Sequence, residues 1–105
     1  MKYTHNNKEL NIANLGQRVY LRGWVQKSRN LGGLIFLDLR DRFGITQLMV
    51  KPENEFYATA LKIRSEFVIE TKGVVVERES KNLKMPTGQI EIEVEELIIL
   101  SAAET

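Results

Sequence analysis

Apolar and polar residues alternate along most of this chain, and the alternation divides it into five extended runs and one helical one. In RVYLRGWVQK, residues 18 to 27, Val19, Leu21 and Val25 fall at alternate positions, the period of a half-buried strand. Gly23 interrupts that run and predicts a bulge or sharp bend, which a small closed barrel needs to curl a long first strand. SRNLGG, residues 28 to 33, carries the turn chemistry of Asn30 and the Gly32-Gly33 pair and reads as a loop. LIFLDLR, residues 34 to 40, places Ile35, Leu37 and Leu39 on one face and Phe36, Asp38 and Arg40 on the other, so Phe36 is expected to point outward. After a tight connection from Asp41 to Gly44, ITQLMV gives a third strand at 45 to 50, with Leu48 and Val50 on one face and Gln47 opposite.

Pro52 opens a stretch to about Ser65 in which Phe56, Ala60 and Ile63, flanked by Tyr57 and Leu61, form a stripe at helical spacing. FVIETKGVVVER, residues 67 to 78, is rich in β-branched residues and again holds a central glycine, Gly73, so a fourth curved strand is expected. A polar loop, SKNLKMPTG, leads to QIEIEVEELIIL, where Ile90, Ile92 and Val94 alternate with Glu91, Glu93 and Glu95 as a fifth strand with one solvent face. Its last part, Leu97 to Leu100, is apolar on both faces. Residues 1 to 16 read as a leader and 101 to 105 as the start of a linker, with order fading at both ends.

The reading is an all-β chain with one helix, in the order β1-β2-β3-α-β4-β5 and with glycine bends in its long first and fourth strands. That is the order of a five-stranded OB-fold barrel. An open five-stranded sheet is the alternative, but it leaves two edges to protect, whereas closure removes them.

Length agrees with a single domain over 1 to 105. No repeat or low-complexity tract interrupts the chain, and no apolar run approaches the roughly 20 residues a membrane helix needs. The start, MKYTHNNKEL, lacks the apolar core and cleavage site of a secretory signal, so cytosolic residence is the expectation. With no cysteine, a disulfide framework, a thiol nucleophile and a thiolate zinc site are all excluded, and the one histidine, His5, is expected to be solvated in the leader. The net charge of +1 conceals an imbalance: six Lys or Arg against one Glu give residues 1 to 31 a charge of +5, and the remainder carries −4. Such a basic segment attracts phosphates, although ordinary solvated surface charge is an equal reading.

OB barrels bind oligonucleotides on the face of strands two and three and the loops beside it. That face displays Phe36, Asp38, Arg40 and Gln47, and the first loop adds Lys27, Arg29 and Asn30. An exposed ring stacks on bases, Arg and Lys neutralise phosphate, and Gln or Glu can read base edges. Against this, Phe36 could be covered by the leader or the helix. Asp38, Arg40, Asp41 and Arg42 read better as surface ion pairs. Trp24 is expected in the core. Catalysis finds no support in the form of a phosphate loop, metal-ligand spacing or nucleophile elbow. Glu91 and Glu93 lie about 7 Å apart along one strand face, with nothing in the sequence to raise the pKa of either.

At this point the residues carry a likeness. GWVQKSRNLGGLIFLDLRDRFGITQ, Gly23 to Gln47, closely resembles the start of bacterial aspartyl-tRNA synthetases, and the likeness continues through SEFVIETKGVV and TGQIEIEV over nearly the whole chain. GWV followed by an arginine loop and a strand is shared with the asparaginyl and lysyl enzymes, whereas IFLDLRDRFGITQ looks like the aspartyl branch. The resemblance implies that the barrel binds the anticodon of tRNA(Asp), guanosine or queuosine followed by uridine and cytidine. It implies that Phe36 stacks on the central uridine, that Gln47 reads that base, that Glu91 faces the first base and that Arg29 holds backbone or base. Asn82, in the loop between strands four and five, matches another position used near the anticodon. Leu31 is of the type associated with members that charge only tRNA(Asp), where members that also accept tRNA(Asn) often carry histidine.

Family enzymes continue into a class II catalytic domain that uses ATP and magnesium and forms a homodimer. Nothing in this chain corresponds to it, so the expectation is a monomeric domain that binds tRNA without cofactor or metal and does not aminoacylate it. Two other readings stand beside this one: a general single-stranded nucleic-acid-binding OB protein, and a protein-interaction barrel docking through Leu97 to Leu100.

Overall fold

The computed structural model describes residues 4–7, 9–79 and 87–102. Five strands run in the expected order: β1 (Arg18–Leu31), β2 (Leu34–Arg40), β3 (Ile45–Val50), β4 (Val68–Glu77) and β5 (Ile90–Ser101), with one helix, α1 (Tyr57–Lys62), between β3 and β4. They close into a barrel in the spatial order β1-β2-β3-β5-β4. All neighbours are antiparallel except β3 and β5, which run parallel and pair at Leu48 with Ile92 and Met49 with Glu93.

The long first strand makes closure possible. Its first half, Arg18 to Trp24, pairs with β4, and its second half, from Trp24 to Leu31, pairs with β2, so one continuous strand serves both sides of the barrel. The bend comes at Gly23 and at a register shift between Val25 and Lys27. The alternating residues then fill the interior: Val19, Leu21, Leu37, Leu39, Leu48 and Ile92 are all fully buried.

Several boundaries differ from those read in the sequence. β1 does not stop at Lys27 but runs to Leu31, so SRNL is strand and the connection to β2 is only Gly32-Gly33. Their φ angles of +61° and +92° fit a type I′ turn, whose twist matches that of the flanking strands. Loop-favouring residues lost to the ladder here, because β2 supplies a cross-strand partner for every residue from Lys27 to Leu31. The helix is six residues, not the whole of 52 to 65; turns occupy Pro52 to Phe56, Ala60 and Ile63 are buried, and Leu61 is exposed. Ser101 belongs to β5 and not to a linker.

Trp24, expected in the core, lies half-buried on the outer face, because the buried neighbours Gly23 and Val25 fix the parity of β1 and turn it outward. The described residues of the leader are tied to the barrel. Leu10 is fully buried in the core, the Asn7 N–H donates to Asp41 Oδ2 at 2.8 Å, and Thr4 N–H donates to the Tyr20 carbonyl at 2.9 Å. His5 is half-buried and its Nδ1 pairs with the Thr4 hydroxyl.

Candidate nucleic-acid interface

The outer face of β2 and β3, with the end of β1 and the edges of β4 and β5, forms an open groove of about 510 Å3. Antiparallel pairing sets Arg29 opposite Phe36, Phe36 opposite Met49, and Asp38 opposite Gln47, so these side chains share one face. Glu91 reaches the same face from β5, where it pairs with Val76 of β4.

Phe36 is half-exposed, on the outside of the barrel as its parity requires, and the Arg29 guanidinium stands 6.0 Å from its ring centroid. A chain of polar contacts runs beside the ring. Arg29 Nη2 donates to Asp38 Oδ1 at 2.8 Å and to Gln47 Oε1 at 3.2 Å, and Gln47 Nε2 donates to Glu91 Oε1 at 2.7 Å. The two contacts fix the amide's sense: oxygen toward the guanidinium, nitrogen toward the carboxylate. Gln47 and Glu91 sit on the outward face as expected, yet they are largely covered, at 6% and 9% exposure. The neighbouring strands crowd over them, so a ligand meets a preorganised polar floor rather than free surface side chains.

Burial raises the Glu91 pKa above the ordinary carboxylate value, and the charges of Glu79 and Glu93 push the same way. The Gln47 hydrogen bond and the Arg78 charge oppose the rise without cancelling it. Nothing in the sequence signals this rise, because burial from tertiary packing is not encoded in the alternation. From the ordinary value of 4.5 up through the raised value, the native state holds the proton more tightly than the unfolded chain does. Stability therefore falls as pH rises across that window. Glu91→Gln is expected to abolish this slope and to melt no lower than the parent at neutral pH, as followed in thermal melts from about pH 4 to about pH 8. An unchanged slope in the variant would remove Glu91 as its source.

Not every sequence candidate joins the groove. Leu31 lines its mouth at 59% exposure, whereas Asn30, of the opposite parity, turns to the other side of the β1–β2 hairpin, and Lys27, paired with Asp38 on the outer face, lies outside the groove lining. The Asn30 side chain accepts from Gly33 N–H at 3.2 Å and so serves the turn. Asn82 lies outside the described residues. Of the expected surface ion pairs, Asp38 pairs with Arg29, while Arg40 donates to Gln26 at 2.6 Å.

The structure adds Met49, Lys51 and Arg78 to the groove. The alternation of β3 carried the signal for the first two, since both share the parity of Gln47. Arg78 lies just past the end of β4, beyond the range of any strand pattern. Arg29 Nε and Arg78 Nε are both buried with no hydrogen-bond partner among the described residues, a costly state that a ligand acceptor would relieve. Among those residues no cluster of His, Cys, Asp or Glu is placed to hold a metal ion, and no helix is long and apolar enough to cross a membrane.

A closed five-stranded barrel with an outward ring and a fixed amide and carboxyl on its second and third strands defines an OB domain of the nucleic-acid-binding class. The chain belongs to the tRNA anticodon family of OB-fold nucleic acid binding domains, which matches residues 19–100. It is 54% identical over 101 residues to the aspartate–tRNA ligase of Exiguobacterium sibiricum, covering 95% of this chain and 17% of that protein. The aspartate–tRNA ligase of Mycoplasma capricolum is 46% identical over 104 residues, 99% of this chain and 18% of that enzyme. The chain thus spans about a sixth of the length of these relatives. Among solved structures, the aspartyl-tRNA synthetase of Entamoeba histolytica superposes with a TM-score of 0.86 at 32% identity, over 99% of this chain and 22% of that one.

Proposed function

We propose that this domain reads the anticodon of tRNA(Asp), as the recognition domain of an aspartate–tRNA ligase. The observation that carries the reading is the Arg29–Gln47–Glu91 chain of hydrogen bonds beside the half-exposed Phe36 ring. The ring is a platform for one unstacked base. Gln47, held in one amide orientation, keeps an oxygen lone pair and an N–H for a base that offers both a donor and acceptors on its edge, as uridine does. Glu91 presents a carboxylate, the acceptor that suits the paired N–H groups of a guanine edge. Arg29 and Arg78 supply N–H donors for phosphate or base oxygens. Leu31 at the groove mouth is the candidate for selecting the last anticodon base against that of tRNA(Asn).

ATP, magnesium, aspartate and a homodimer interface belong in this proposal to other parts of a longer cytoplasmic enzyme, in keeping with the share of its relatives that this chain spans. Titration of the domain with anticodon stem-loops tests the reading. A GUC loop is expected to bind at least about tenfold more tightly than a scrambled loop of the same composition, the discrimination of one well-made base contact. Equal affinities, with equal competition by homopolymer DNA, would make the domain a general single-strand binder instead.

A further inference from the structure

Lys27 and Asn30 line a second cleft of about 390 Å3 together with Ser28 of β1, and Arg64 and Ser65 just beyond α1, over an apolar floor that includes Ile35 and Ala60. Its chemistry differs from that of the groove. The groove wall contains the carboxylates of Glu77, Glu79 and Glu91, whereas no carboxylate lines the cleft. Two cations, two hydroxyls and a carboxamide do. Lys27 makes no ion pair or hydrogen bond among the described residues, because the carboxylate across the ladder, Asp38, is engaged by Arg29 at 2.8 Å on the groove side. Arg64 Nη1 donates to the carbonyls of Leu61 and Ile63 at 3.0 and 3.1 Å, which anchors the guanidinium while the residue stays exposed.

Only the β1–β2 hairpin separates the two sites. Ser28 and Asn30 look into the cleft while Arg29 and Leu31 look into the groove, as strand alternation dictates; Lys27, next to the register shift and paired with Asp38, stands on the outer face and borders the cleft at its rim. The tip is Gly32-Gly33, which offers no side chain to obstruct a passing strand, and it is held in place by the Tyr57 hydroxyl, which donates to the Gly33 carbonyl at 2.6 Å. Cations and neutral donors without carboxylates suit phosphodiester oxygens and carry little information about bases.

We propose that this cleft binds backbone phosphates of the same RNA whose bases enter the groove, so that the loop straddles the β1–β2 hairpin. The inference rests on the anticodon reading for the identity of the RNA. Base reading and backbone holding are then divided between the two sides of one hairpin.

Affinity for a GUC stem-loop measured across a salt series tests this for the 105-residue domain. Lys27→Ala is expected to lower the slope of log K against log salt by about 0.7, the contribution of one single-strand phosphate contact, and Lys27→Ala with Arg64→Gln by about 1.4. The preference for GUC over a scrambled loop should not change in either variant. Because Arg64 also ties down the end of α1, the single Lys27 variant, with an unaltered thermal melt, keeps the test decisive. An unchanged slope overturns the proposal. So does a response of the Ser28, Asn30 and Ser65 amides to inorganic phosphate but not to the stem-loop, which would mark a free-phosphate site. A parent domain without GUC preference whose slope still falls in the Lys27 variant refutes the anticodon reading and leaves this cleft as a backbone site.

Discussion

Phe36→Ala is expected to weaken binding of a GUC stem-loop by roughly 5- to 150-fold, the equivalent of the 1–3 kcal/mol that one base–aromatic stack contributes. Among the described residues the ring is the only aromatic side chain in the groove lining, so none of them can replace the platform. Its removal leaves the fold intact, since Phe36 is half-exposed on the outer face while the interior of β2 is filled by Ile35, Leu37 and Leu39. The thermal midpoint should therefore stay within a few degrees of the parent, because loss of partly solvated surface has a small effect. Binding within about twofold of the parent, measured by anisotropy on folded protein, would show that no base stacks there.

The second large effect falls on stability. Gly23→Ala is expected to cost about 3 kcal/mol and to lower the midpoint by roughly 10–20 °C for a domain of this size. A Cβ at position 23 would lie 2.2 Å from the Arg40 carbonyl oxygen and 2.9 Å from its carbon. Those atoms are backbone, held by the pairing of Arg40 with Trp24 and with Ile45, and cannot swing aside as a flexible side chain would. Gly73 meets the same constraint, with the Glu93 carbonyl oxygen 2.5 Å from its notional Cβ. A melt of Gly23→Ala within about 3 °C of the parent would show that β1 relaxes around the new methyl and that the bend does not depend on the missing side chain.

Much of this was legible in the sequence because strand alternation is a strict code. Once Ile35, Leu37 and Leu39 point inward, Phe36 has to point outward, and the same parity brings Gln47 and Glu91 to its side. The glycine interruptions also carried real information, since Gly23 marks the place where β1 passes from one partner strand to the other. What the code lacks is anything that depends on a distant neighbour. SRNL looks like a loop until β2 pairs with it, and 52 to 65 looks like a helix until packing keeps only Tyr57–Lys62 in helical form.

Burial on the outer face was similarly hidden. Gln47 and Glu91 are covered because β3 and β5 meet there, and a parallel contact between segments so far apart leaves no trace in local periodicity. Trp24 shows the same failing in reverse: a preference for burying large rings lost to the parity set by Gly23 and Val25. Nearness in sequence places Lys27 and Asn30 with the groove residues, whereas the parity of Asn30 turns it to the other side of the hairpin and Lys27 borders the second cleft.

The shortest join in the barrel is the one between β3 and β5, two residue pairs long, and the Gln47–Glu91 hydrogen bond lies alongside it. The polar floor therefore belongs to no contiguous piece of chain: a peptide cut from β1 to β3 keeps the ring and the amide but forfeits the carboxylate. On the proposed anticodon reading, an oligonucleotide that bridges Gln47 and Glu91 would act as a cross-brace on that join, and a change that loosens the join would blur the recognition. Tight closure and selective binding would then be two faces of a single free energy, and neither could be tuned while the other stood still.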